Sequence, residues 1–187
     1  MSTKSVNTDK QPRSKFHELL QRQVYNEFNA SQQYIAIGVW FDSQDLPRLA
    51  KLFYDQSVEE RNHALAIVQY MLDTDHHVEI PASGDVRNDF SDISEPVALA
   101  LEQEKDVATD FKEIAKAARA EDDYLGEQFT HWFLKEQVEE ISQMSTLSNV
   151  VKMADGSVFE VENYLAREGI GGGGDDPTMP HVAGGAR

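Results

Sequence analysis

Through four long stretches of the chain, apolar residues return at alternating steps of four and three. That is the spacing of a helix face turned toward a packed core. The first stretch runs from about Ser14 to Asp42, after Pro12, on the seam Leu20, Val24, Glu27, Ser31, Tyr34, Gly38 and Phe41. A second, opened by Asp45 as a cap and Pro47 in the first turn, runs to about Leu72 on Leu49, Phe53, Gln56, Glu60, His63, Ile67 and Tyr70. The third starts near Ser94 with Val97, Leu101, Glu104, Ala108, Phe111, Ala115 and Ala118. After the acidic turn AEDDY a fourth carries Phe133, Gln137, Glu140, Met144, Leu147 and Val151, and Gly156 ends it. Ser157 to Glu160 has capping-box spacing and opens a short fifth helix that stops before Gly169.

Between the second and third helices lies a turn-rich stretch, DTDHHVEIPASGDVRNDFSDI. It is far longer than a hairpin connection needs. A helix of about 27 residues is about 40 Å long, and twenty extended residues reach about 66 Å. The connection can therefore run back along the bundle. The predicted fold class is all-α: two helical hairpins joined by one long crossover into a four-helix bundle, plus a short fifth helix. Residues 1–13 read as a flexible arm and 14–168 as the bundle with its short helix. Residues 169–187 hold seven of the eleven glycines and read as a disordered tail.

Each seam carries a carboxylate near its middle, where an apolar residue belongs. Glu27 and Glu60 lie at matched distances from the first turn, so they meet at one height in an antiparallel pair. Glu104 and the pair Gln137 and Glu140 stand in the same relation to the turn near Asp122. Taken singly, a seam glutamate is more often a solvated edge, and a seam histidine a hydrogen-bonded core residue. Four helices doing this at one level is a different matter, because clustered buried anions raise one another's pKa values and destabilise the fold. Bound cations remove the cost. Glu60 and His63, spaced Glu-x-x-His, share one helical face, so the carboxylate can bridge two metals while the imidazole ligates one. Hard oxygen donors with a single imidazole suit iron or manganese better than zinc.

Charge narrows the partners. The formal net charge is −16, from 33 acidic and 17 basic residues in 187. Such a surface repels nucleic acid and anionic membrane and attracts cations. There are no cysteines, which excludes disulfides, thiolate metal sites and a thiol nucleophile. No apolar run approaches a membrane span, and the first fifteen residues lack a signal-peptide core. The expectation is a cytoplasmic protein with neither a nucleic-acid nor a membrane partner.

At these residues the chain resembles the non-haem bacterial ferritins, over about Phe16 to Arg167. The matching stretches are NEFNASQQY (Asn26 to Tyr34), EERNHA (Glu59 to Ala64), LEQE (Leu101 to Glu104) and FLKEQVEE (Phe133 to Glu140). The resemblance implies a ferritin-like bundle that oxidises Fe(II) with dioxygen and stores ferric mineral inside a homo-oligomeric shell of twenty-four subunits. Glu27, Glu60 and His63 would hold the first iron, and Glu60, Glu104 and Glu140 the second. Gln137 would stand near the bound oxygen and Tyr34 beside the iron pair. Glu59, Glu136, Glu139 and Glu140 resemble a third iron site found in some bacterial ferritins.

Two positions depart from the haem-binding bacterioferritins. Those proteins repeat Glu-x-x-His on the fourth helix, where this chain has Glu136 and then Glu139 three residues on. They carry a haem-ligating methionine just after the second helix's glutamate, where this chain has Arg61. No haem is expected. Glu127 aligns with an acid of the family's three-fold pore, whose second acid is Thr130 here. His76, His77, His131 and His181 are expected at the surface without partners, and Trp40 and Trp132 as packing residues. The rival readings are a di-metal oxidase or peroxidase that stores nothing, a metal-free scaffold and a DNA-protecting cage.

Overall fold

The computed structural model describes residues 13–170 and 177–185. Four long helices, α1 (Lys15–Ser43), α2 (Pro47–Asp73), α3 (Ser94–Ala120) and α4 (Tyr124–Met153), are followed by α5 (Val158–Glu168). A 3-10 turn spans Ala183–Gly185. Helices α1 and α2 pack as one hairpin and α3 and α4 as another, with α1 against α3 joining them. This is the predicted all-α bundle.

The crossover, residues 74–93, runs beside α1 in the same direction. Glutamine side chains on α1 act as backbone mimics along it. Gln21 accepts from the Glu79 amide at 2.8 Å and donates to its carbonyl at 2.7 Å. Gln33 does the same for Arg87, at 2.8 Å both ways. Between them Asn29 accepts from the Gly84 amide at 3.1 Å. These bonds replace the backbone partners that an irregular segment lacks. The crossover brings α3 in at the far end of α1, where Trp40 meets Phe90 edge-on. Helices α2 and α3 are parallel as a result, and all four seams face one axis.

The helix ends depart from expectation in three places. Asp45 does not cap α2: its φ of 57° places it in the left-handed region, as the exit from α1. The first amides of α2, on Arg48 and Leu49, donate instead to the Glu162 carboxylate of α5, at 3.0 and 2.9 Å. A long-range carboxylate does what a local cap was expected to do, and it pins the fifth helix to the bundle. Ser157 stands at the N-cap of α5 but its hydroxyl makes no capping bond, so the capping box does not form. Ser14 does cap α1, and Asp123 caps α4 by accepting from the Gly126 amide at 2.9 Å.

The predicted seams of α1 and α4 are buried as read, and that of α2 is buried except at Tyr70, which is half-buried. On α3 the inward stripe is displaced: Leu101 and Ala115 are half-buried, while Ala100, Val107 and Ile114 lie in the core. Small residues on both sides of that stripe hid its centre. On α1, Gly38 is required by closeness, because a Cβ there would stand 2.8 Å from the Tyr54 ring.

The predicted arm falls outside the described residues except for Arg13, whose guanidinium donates to the His77 carbonyl at 3.1 Å. The glycine-rich stretch 171–176 also falls outside them. The expectation of disorder fails for residues 177–185. Val182 is 7% exposed and packs into the apolar cluster of α1, α2, α3 and α4 around Phe16, Met71 and Phe133. Glycine count hid this, because one valine with Met179 and Ala183 beside it is enough to dock a short segment.

Candidate metal centre

Halfway along the bundle each helix turns a polar side chain into the axis. Glu27 comes from α1, Glu60 and His63 from α2, Glu104 from α3, and Gln137 and Glu140 from α4. Glu27 has no exposed surface, and none of the other five is more than 2% exposed. The structure brings together all six residues that the seams singled out. The spacing of three on α2 and α4 puts each pair on one face, one turn apart.

Among the described residues, ligand-capable atoms form three groups, each within 4.8 Å: Glu27, Glu60 and His63; Glu60, Glu104 and Glu140; and Glu59, His63 and Glu140. Glu60 is common to the first two, as a bridging carboxylate must be. His63 Nδ1 lies 3.4 Å from Glu60 Oε2, 3.9 Å from Glu140 Oε1 and 4.0 Å from Glu27 Oε2. Trp132 and Phe133 meet the imidazole edge-on and fix its plane.

Hydrogen bonding separates the atoms that are held from those that are free. Tyr34 donates its hydroxyl to Glu104 Oε1. The Gln137 amide donates to Glu140 Oε2 and, at 3.4 Å, to Glu104 Oε2. Both oxygens of Glu60, Oε2 of Glu27, Oε1 of Glu140 and Nδ1 of His63 are buried without a hydrogen-bond partner. Buried polar atoms left this way are rare and costly. Here they converge, which is the donor arrangement a pair of cations would satisfy.

Electrostatics agrees with geometry. Burial holds the Glu60 carboxyl well above the ordinary glutamate range, and the charges of Glu104, Glu140 and Glu27 push it further. Burial does the same to Glu140, with Glu104, Glu59 and Glu27 adding to it. Glu104 is raised by burial, against which the Tyr34 hydrogen bond works. The Tyr34 hydroxyl is itself pushed well up by burial and by Glu104, so it stays a proton donor. A cation reverses each of these effects by favouring the ionised carboxylates.

The predicted third site comes together in part. Glu59, half-buried and held by Gln56 at 2.6 Å, groups with His63 and Glu140. Glu136 and Glu139 belong to none of the three groups, and Glu139 is exposed. Glu127 forms an ion pair with Arg119 and sits 3.7 Å from His131. The expectation that the histidines stand alone fails elsewhere too. His76 stacks on the buried His17 with ring centroids 3.4 Å apart, and His77 lies 3.4 Å from Glu79. His17 was not singled out in the sequence, since a single histidine near the start of a helix carries no motif. Nor was Gln23, fully buried and hydrogen-bonded to Glu27, since it lies beside the α1 seam and not on it.

A four-helix bundle with a long crossover, and carboxylates plus one imidazole at its centre, defines a protein of the di-metal carboxylate class. Comparison with known proteins narrows this. The family described as Ferritin, ferritin-like domain, matches residues 17–154, and the chain belongs to that family. It is 53% identical over 173 residues to the ferritin BfrB of Mycolicibacterium smegmatis, covering 92% of this chain and 95% of that one. It is 52% identical to a Mycobacterium tuberculosis protein named bacterioferritin BfrB, covering 93% and 96%. The bacterial non-heme ferritin of Staphylococcus aureus is 36% identical over 71% of this chain and 80% of its own. Among solved structures, an open pore ferritin from Archaeoglobus fulgidus superposes with a TM-score of 0.79 over 83% of this chain and 97% of that one. At 21% identity that likeness shows the fold alone.

Proposed function

We propose that the chain is a non-haem ferritin: it oxidises Fe(II) with dioxygen at the central carboxylates and stores the ferric product in a shell of twenty-four copies. Membership in the ferritin family carries iron storage and ferroxidase activity. The observation that supports assigning the chemistry to this centre is the convergence of unpartnered oxygens from Glu27, Glu60 and Glu140 on the unpartnered nitrogen of His63.

Iron is the substrate. Glu27, Glu60 and His63 would take one Fe(II), and Glu60, Glu104 and Glu140 the other. Each ion gives one electron, so the pair supplies two electrons to dioxygen in one encounter. Anionic ligands favour the higher charge of Fe(III), and the bridging Glu60 keeps the two ions together while it forms. Tyr34, protonated and bonded to Glu104, is placed to give a proton or an electron beside the pair. The second position has no imidazole, since α4 brings it Glu140 with Gln137 beside it. That asymmetry makes it the more weakly held ion and the natural exit toward the store. Glu59 extends the carboxylate path on that side.

Two features support the finer points. The residue after Glu60 is Arg61, exposed and with no capacity to ligate haem iron, which favours the non-haem reading despite the name of one relative. Assembly is supported by large apolar side chains left open on the single chain, with Tyr124, Leu125, Val138, Met153 and Phe159 between 71% and 79% exposed. Among the described residues no helix is long and apolar enough to cross a membrane, which is compatible with a cytoplasmic store.

The deciding experiment measures iron retained per chain after excess Fe(II) is added in air and the protein is passed through gel filtration. Retention far above the two or three ions the ligands can hold is expected. Retention of two ions would keep the centre and make the protein an oxidase or peroxidase. No retention would end the metal reading.

A further inference from the structure

Gln23 lies one helical turn before Glu27 on α1 and has no exposed surface. Its amide nitrogen donates to Glu27 Oε1 at 2.8 Å. An amide can present either end to a neighbour, so something must decide which end Gln23 presents. The decision starts near the surface. Asp110 on α3 pairs with Arg22 at 3.1 Å and, as a carboxylate, can only accept. Asn26 must therefore turn its amide nitrogen to Asp110, at 2.9 Å. That same nitrogen donates to Gln23 Oε1 at 3.2 Å. With its carbonyl engaged, Gln23 has only N–H to offer Glu27.

The consequence falls on the metal centre. Glu27 Oε1 is occupied, and Oε2, without a partner, is the atom that faces His63 Nδ1 at 4.0 Å. We propose that Gln23 is a positioning residue for the first metal position: through the chain Arg22, Asp110, Asn26 and Gln23 it restricts Glu27 to one free ligating oxygen and aims it at the ion shared with Glu60 and His63. This rests on the reading of the centre given above. Groups that orient a ligand in this way typically set metal affinity by about 10–100-fold. The chain also ties α1 to α3 at the height of the site, so the distance between Glu27 and Glu104 is fixed from outside the ligand set.

The test is an anaerobic Co(II) titration of the assembled protein, followed by the visible bands of the bound ion. Co(II) is used because its spectrum reports ligand number and symmetry without turnover. In Gln23→Leu the first Co(II) should bind about 10–100-fold more weakly, with an altered band shape as Glu27 becomes free to use both oxygens. Asn26→Ala, half-buried and outside the ligand set, should shift affinity in the same direction by less. Identical affinity and bands in both variants, each with wild-type helicity and gel-filtration volume, would overturn the proposal. If Gln23→Leu does not assemble, the Asn26→Ala result decides alone. Wild-type protein that binds no Co(II) would overturn the metal centre along with this inference, whereas wild-type binding matched by the variants overturns only the inference.

Discussion

At the end of the bundle covered by α5, Phe41 stacks on Phe53, and Tyr34, Leu49, Met144 and Leu147 close around them. Half a helix away the same four helices turn Glu27, Glu60, Glu104 and Glu140 to the same axis, equally buried. Beyond them the axis is apolar again, with Phe16, Phe111 and Phe133. The two ends bury hydrocarbon and stabilise the fold. The middle buries charge, which without a cation works against it. The difference teaches that the ends act as clamps. They hold four helices in place across a section that would otherwise open to water.

Breaking a clamp should produce the largest effect on stability. Phe41→Ala removes a fully buried ring at the far end of α1 from the ligands. A loss of about 3–5 kcal/mol is expected, seen as a lower melting temperature of the metal-free assembly. Initial rates of Fe(II) oxidation at a temperature well below melting should be unchanged. A parallel fall in rate would mean that the middle relies on the fine packing of the ends, and the comparison would fail.

Changing the middle should do the reverse. Glu60→Gln keeps shape and removes the bridging charge, so oxidation should slow by about 10–100-fold in stopped-flow absorbance. The metal-free variant should melt higher than wild type at pH 8. The sign follows from the raised Glu60 pKa. A carboxyl raised on folding contributes stability that is complete below its ordinary value of 4.5 and is lost as pH rises through the folded value. Wild type therefore carries the burden at high pH and the amide does not. The gap should narrow as pH falls toward 4.5 and should also close when Fe(II) or Co(II) loads the wild type. A variant that is less stable than wild type at pH 8 would refute this account.

How much of this was legible beforehand depends on the kind of signal. Glu27, Glu60, His63, Glu104, Gln137 and Glu140 could be read from the sequence because each breaks an apolar stripe, and a broken stripe at four matched heights is a long-range statement. The fold was legible for the same reason, with the crossover readable from its length. The α3 stripe was misread because Ala108 and Ala115 sit beside Val107 and Ile114, and small residues blur a helix face. The Glu162 cap on α2 and the Gln21 and Gln33 ladders along the crossover were invisible. They join residues more than fifty positions apart through side-chain types that are ordinary on any helix surface. Gln23 was missed on the same ground: its role lies in what Asn26 and Asp110 oblige it to do.

The smallest effect concerns the apolar end that closes with a borrowed residue. Val182 is the last buried side chain of the second cluster and comes from a segment joined to the bundle by a glycine-rich stretch. Ile170, twelve positions earlier, packs on the first cluster, so the two ends are sealed by residues of one tail. Val182→Ala removes two methyl-sized groups from a rim position, worth about 1 kcal/mol after local relaxation. Because the segment can open without the helices unfolding, the loss should appear locally as a factor of about five in its opening equilibrium. Hydrogen exchange reports it at the Gly185 amide, which donates to the Val182 carbonyl at 3.0 Å. Exchange there should quicken by that factor while the amides around Phe16 and Phe133 keep their protection. Unchanged exchange at Gly185 would mean the segment is held by contacts other than Val182. Faster exchange throughout the second cluster would mean the tail belongs to the clamp as fully as the helices do.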